Sequence, residues 1–206
     1  MDDSKITNIV VFIGGGADKT REKFGMVYWG PTKLMEYAKL YFDKRAGETS
    51  KSLYFGYLEK KDIVKKIKKL YRKNPELRVN LVGHSRGGAV AKQIATVSLL
   101  KKGIPVNLLI ALDPVKPKLN IQYKIPKKKG LKNVTTFVNV FSKPIWKTGA
   151  DYIAKIGGQY GIRLKDKAHH FIQTRKGHGQ PIPLLNIKIE ELNISSLELL
   201  INESHH

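Results

Sequence analysis

A serine set between glycines, in Gly83-His84-Ser85-Arg86-Gly87, is followed by an aspartate, Asp113, and later by a histidine, His178. A serine hydroxyl is a weak nucleophile by itself. It needs a base within hydrogen-bond reach, and the base needs an acid to orient it. A set of that kind can attack a carbonyl carbon, provided that two backbone amides hold the negative charge that develops.

A Gly-x-Ser-x-Gly match arises by chance in roughly one chain in fifteen, so its weight comes from its setting. Leu77 to Val82 (LRVNLV) reads as a strand, and a helix is expected from Ala89 to about Lys102, stopped by Gly103. A serine between strand and helix sits on a turn too tight for side chains on its flanks, which is why glycines stand there. The extra small pair Gly88-Ala89 lets helix and strand pack closely. A phosphate-cradling loop is the rival reading of such a turn, but no lysine stands where a Walker motif needs one.

Asp113 is the first acid after Ser85 and ends the next apolar strand, Val106 to Leu112; Asp166 is its main rival. Among the histidines after Asp113, His178 lies in the loop Lys176-Gly177-His178-Gly179-Gln180 and is favoured as the base. His169 and His170 are the alternatives, within an expected strand Lys167 to Thr174, and His84 reads as structural. The oxyanion amides are expected from Arg86 and from the loop Gly14-Gly15-Gly16-Ala17, with Gly15 and Gly16 the donors to consider. Asp18 is suited to hold that loop in shape.

The remaining elements must carry these residues to one edge. Ile6 to Ile13 is a β-branched apolar run, Leu53 to Tyr57 a second strand, and Val134 to Phe141 an alternating one. Pro31 to Phe42 and Asp62 to Tyr71 show helical spacing, and a closing helix is expected over Ile189 to Ile201. Alternating strands and helices imply a three-layer α/β/α sandwich around a mostly parallel sheet of about six strands. In such sheets the active edge lies at the carboxyl ends of the strands. The absence of repeats and linkers predicts one domain over 1–204.

The 206 residues include 38 Lys and Arg against 17 Asp and Glu, a net charge of +21. That field attracts polyanions, either nucleic acid or an anionic membrane surface, and charge alone does not choose between them. The segment Lys116 to Lys132 holds seven lysines and no acid, interleaved with Leu119, Ile121, Tyr123, Ile125 and Leu131. It follows the expected acid and so belongs near the mouth of the site. No cysteine is present, which excludes disulfides and thiolate metal sites. No metal and no cofactor is expected. The acidic start Met1-Asp2-Asp3-Ser4-Lys5 does not resemble a secretory leader, and no apolar run nears the roughly 18 residues that span a bilayer. The expected location is the cytoplasm of the producing cell, or outside it by a route without a signal peptide. His205-His206 reads as a tag remnant.

LVGHSRGG at Leu81 to Gly88 resembles the α/β-hydrolase superfamily, with its lipase and esterase branch nearest. With VFIGGGADK at Val11 to Lys19, IALDPV at Ile110 to Val115 and the late Gly-His-Gly, the pattern is similar to bacterial lipase effectors of type VI secretion systems. The resemblance implies a serine acyl hydrolase acting on membrane phospholipid, with Ser85, Asp113 and His178 in the matching positions. It also implies delivery without a leader, and an immunity protein or secretion carrier as partner. One departure is visible: the first two strands of the standard fold are missing, leaving a minimal sheet. The other readings are an esterase or thioesterase for a soluble substrate, and a non-catalytic basic binding module.

Overall fold

A computed structural model describes residues 5–18, 32–116 and 131–205. Six parallel strands form one sheet in the order β2-β1-β3-β4-β5-β6. They are β1 (Asn8–Gly14), β2 (Ser50–Gly56), β3 (Arg78–His84), β4 (Val106–Leu112), β5 (Val134–Ser142) and β6 (His170–Thr174). The fold is that of a minimal α/β-hydrolase, as the sequence predicts, and the main sheet is parallel throughout.

The apolar runs explain the layering. Every residue of β1 is buried, so both faces of that strand must be covered. Ile9, Val11 and Ile13 pack with Ile63, Ile67 and Leu70 of α2 (Lys60–Lys73) and with Ala89, Val90 and Ile94 beyond β3. Val10 and Phe12 point the other way, against Met35, Ala38 and Phe42 of α1 (Leu34–Asp43) and Leu197 and Leu200 of the last helix. The strand period of two thus sends alternate side chains into two separate cores. Within α2 the lysines stay on the outer face while Ile63, Ile67 and Leu70 are buried, the arrangement its spacing predicts.

The helix after the Ser85 turn starts earlier than expected. α3 runs over Arg86–Gln93 and continues through a π-turn, Ile94–Leu99, and a 3₁₀ turn, Leu100–Lys102, to Gly103 in a left-handed conformation. Two helices absent from the sequence reading appear in the second half: α4 (Gly149–Ile156) and the short α5 (Pro181–Leu185).

The closing helix is a correction. Lys188–Ile189 and Ile194–Ser195 form a small antiparallel ladder, β7 and β8, around a turn in which Asn193 takes a φ of 58°. The helix, α6, covers only Ser196–Ser204. Its start is set by a capping box: the Glu198 amide donates to Ser195 Oγ at 3.1 Å, and the Ser195 amide donates to the Glu198 carboxylate at 2.7 Å. The apolar periodicity of Ile189 onward masked that local signal.

Candidate active site

Parallel register aligns the carboxyl ends of the central strands. Ile13 lies opposite Gly83, His84 opposite Leu112, and Leu112 opposite Val140. The loop after β1, the turn after β3 and the residue after β4 therefore meet at one edge. Backbone bonds lock them: the Ser85 amide donates to Leu112 O at 3.0 Å, and the Asp113 amide to Val140 O at 2.7 Å.

Ser85 sits at φ 55°, ψ −124° between β3 and α3. That is a costly conformation for a residue with a Cβ, and it persists only where the surroundings over-determine it. The flanking glycines supply the room. A Cβ on Gly83 would collide with the backbone of Gly87, and one on Gly87 would collide with the carbonyl oxygen of Ile13 in β1. The same tightness brings the loop after β1 against the serine, where a Cβ on Gly15 would meet Ser85 Cβ at 2.9 Å and Oγ at 3.4 Å.

Asp18 holds that loop from behind. It is buried, and its carboxylate accepts from the Met35 amide at 3.1 Å at the start of α1. Burial raises its carboxyl above the usual range, and the hydrogen bonds from Met35, Leu34, Thr32 and Tyr54 offset this in part.

Ser85, His178 and Asp113 form a continuous hydrogen-bonded chain. Ser85 Oγ and His178 Nε2 are 3.0 Å apart, and His178 Nδ1 and Asp113 Oδ2 are 2.6 Å apart. Asp113 is 0% exposed and His178 6%, so this chain is shielded except on the serine side. With Nδ1–H donating to the carboxylate, Nε2 is left as an acceptor for the serine hydroxyl. The arrangement can withdraw a proton from Ser85 and return it to a leaving group.

The other two histidines are placed elsewhere. His169 Nδ1 accepts from the Phe137 amide at 2.9 Å, and its own amide donates to Phe137 O, so it ties β5 to the approach of β6. His170 opens β6 with Nδ1 3.4 Å from a Glu191 carboxylate oxygen. Asp166 is exposed in the 3₁₀ stretch Gly161–Lys167.

The supporting residues were not found by reading the sequence. The second oxygen of Asp113, Oδ1, accepts from the Ser142 amide at 3.0 Å and from Gln159 Nε2 at 2.6 Å. Asp151 Oδ1 accepts from the His178 amide at 2.6 Å, while Oδ2 takes the Thr148 amide and hydroxyl, each at 2.7 Å. Burial opposes the charge on Asp151, and the donors from His178 and Thr148 outweigh it, so its carboxyl lies below the ordinary range.

His84 is structural, as expected, but it also supports the proposed base directly. Its Nε2–H donates to His178 O at 2.6 Å, and the two rings lie 4.7 Å apart. Burial first, and then the proximity of His178, push the His84 imidazole down to about 3, so it stays neutral. The Thr148-x-x-Asp151 spacing is the one readable hint among these, since it matches a helix-start signal.

The basic segment Lys116 to Lys132 lies largely outside the described residues, as does Lys19 of the VFIGGGADK motif. Among the described residues no helix is long and apolar enough to cross a membrane.

Fold and geometry together define an α/β-hydrolase with a serine at its strand-to-helix turn. The PGAP1-like alpha/beta domain family matches residues 40–143, just over half of the chain, and the protein belongs to that family. The matched stretch carries Ser85 and Asp113, whereas His178 lies beyond it. No curated protein sequence matches the chain.

Solved structures similar to it include carboxyl esterase 2 from Tuber melanosporum, 13% identical with a TM-score of 0.55, covering 98% of this chain and 80% of that one. Est1E from Butyrivibrio proteoclasticus, with ferulic acid bound, is 10% identical with a TM-score of 0.51 over 97% of this chain and 90% of its own. RedJ, the thioesterase from the prodiginine pathway of Streptomyces coelicolor, is 10% identical with a TM-score of 0.52 over 98% and 88%. At such identities the likeness is one of fold.

Proposed function

We propose that this protein is a serine hydrolase of carboxylic esters, with Ser85 as nucleophile, His178 as general base and acid, and Asp113 as the acid that orients the imidazole. The observation that carries the reading is the unbroken chain from Ser85 Oγ through both nitrogens of His178 to Asp113. His178 Nε2 takes the hydroxyl proton as Oγ attacks the carbonyl carbon. The resulting oxyanion is held by the amide of Arg86 and one from Gly15 or Gly16, above the positive N-terminus of α3. His178 then protonates the departing alkoxide, leaving an acyl-serine. Water, activated by the same nitrogen, releases the acid.

Within that chemistry we favour a lipid acyl ester, and a phospholipid above all. The net charge of +21 and the lysine-rich Lys116 to Lys132 segment support an anionic lipid surface as the place of action. Delivery as an antibacterial effector, with an immunity protein in the producing cell, is the setting that the motif resemblance suggests. The second reading is a soluble ester or thioester, in keeping with the names of the esterases and the thioesterase that share the fold.

The test is hydrolysis of a short chromogenic acyl ester by the purified chain and by Ser85→Ala, with lipid products analysed side by side. Ser85→Ala is expected to lower the rate by about 10⁴-fold or more while the fold is kept. An unchanged rate would remove the mechanism, and a protein with no activity in either form would point to a binding module.

A further inference from the structure

We propose that the outer face of α4, together with the turn Lys143 to Lys147 before it, is the surface by which this protein docks on an anionic phospholipid bilayer. The proposal deepens the acyl-ester reading and rests on it for the substrate that would be met there.

The helix is turned inside out. In an amphipathic helix of a globular protein the apolar residues face the core. In α4 the buried residues are Asp151 and Ala154, while Ile153 is 72% and Ile156 67% exposed, with Tyr152 exposed beside them. Ile153 and Ile156 are three apart and so share one face. The preceding turn adds Ile145 and Trp146, the latter 88% exposed. Lys147 joins the two parts, its Nζ 6.0 Å from the centre of the Tyr152 ring. Scattered exposed apolar residues are ordinary, but a run of five large ones in so short a stretch marks an interaction surface.

The charges around it identify the partner. Lys143, Lys147, Lys155, Arg175 and Lys176 are all exposed, and the one acid of the 143–157 stretch, Asp151, is turned inward onto His178. An apolar patch containing tryptophan and tyrosine, ringed by cations that have no acid paired with them among the described residues, is complementary to a bilayer with anionic headgroups. Aromatic rings settle at the headgroup level, and lysines reach from there to phosphate. Beside the patch a shallow cleft of about 400 Å³ is lined by Lys143, Pro144, Ile145, Gln173, Thr174 and Arg175. It presents two cations where a headgroup phosphate would lie.

The surface is also tied to the site. The Ser142 amide binds Asp113 immediately before the turn, and Asp151 of α4 binds the His178 amide. The outer face of α4 is thus carried by the same elements that hold the proposed acid and base in place.

The test is binding of the Ser85→Ala chain to phosphatidylcholine vesicles with and without phosphatidylglycerol. Because this binding needs no turnover, its outcome is read separately from that of the hydrolase proposal. We expect binding to the anionic vesicles only, weakened by high salt, with a blue shift of Trp146 fluorescence recorded in a Trp29→Phe background. Trp146→Ser, and Ile153→Ser with Ile156→Ser, should each cost at least about tenfold in binding at an unchanged melting temperature. Lys143→Glu with Arg175→Glu should cost at least as much, at low salt only. Variants that bind as tightly as the parent would overturn the proposal, as would equal binding to neutral and anionic vesicles. A parent dimer that these substitutions dissociate, without vesicle binding, would assign the face to a second copy of the chain instead.

Discussion

Around Ser85 the geometry is set by backbone packed on backbone, whereas around Asp113 and His178 it is set by side-chain hydrogen bonds. The turn after β3 is wedged between Ile13 of β1 and the first turn of α3, at a separation that only glycine allows. Asp113 and His178 are instead held by Ser142, Asp151 and Gln159, from β5, α4 and the segment after it, and by His84 at the end of β3. The first arrangement is rigid because any added atom collides. The second depends on each polar partner being present and in the right protonation state, since a buried group left without its partner is costly.

This difference predicts different modes of failure. The largest effect is expected from Asp113→Asn. The amide would still fill the space, but it would no longer favour the imidazole tautomer that leaves Nε2 free to accept. The turnover of a soluble ester should fall by about 10⁴-fold, with the protein still folded by circular dichroism. A rate within tenfold of the parent would remove Asp113 from the proposed mechanism.

Next comes Gly87→Ala. Its methyl group would be driven into the Ile13 carbonyl near the carboxyl end of β1, a strand buried along its whole length. A loss of stability of about 4 kcal/mol or more is expected, read from the urea midpoint. A loss below 1 kcal/mol would show that the turn is not held by backbone sterics.

The smallest effect concerns pH and sharpens the other half of the comparison. His84 is held neutral in the folded protein, its imidazole pushed down to about 3, whereas in the unfolded chain it titrates near 6.5. The unfolded state therefore takes up a proton first as pH falls. The stability that depends on neutral His84 is intact above about pH 6.5 and declines below it, by roughly 2 kcal/mol at pH 5. Urea midpoints at pH 7 and pH 5 should diverge less in His84→Asn than in the parent. Equal losses in both would mean that His84 does not carry this dependence.

Much of the turn around Ser85 was legible because its constraints are local. Glycines two residues either side of a serine, an apolar strand before and small residues after, specify a sharp turn whatever the rest of the chain does. The start of α6 is equally local, set by the Ser195 to Glu198 capping pair, although the apolar spacing from Ile189 predicts an earlier start. Chain order and loop position favour His178 over His169 and His170, but the contacts of those two with Phe137 and Glu191 are tertiary and leave no mark in the sequence.

The sequence by itself determined the layer architecture, the strand-to-helix turn bearing Ser85 and the order of serine, acid and histidine, because period, glycine placement and strand ends are properties of neighbouring residues. Only the tertiary structure decided that Gln159 would reach Asp113 across 46 residues, that Asp151 would reach the His178 amide across 27, and that α4 would face its isoleucines outward. Those outcomes depend on which segments the sheet brings side by side. Helical spacing reveals that a face exists, but not which way it points.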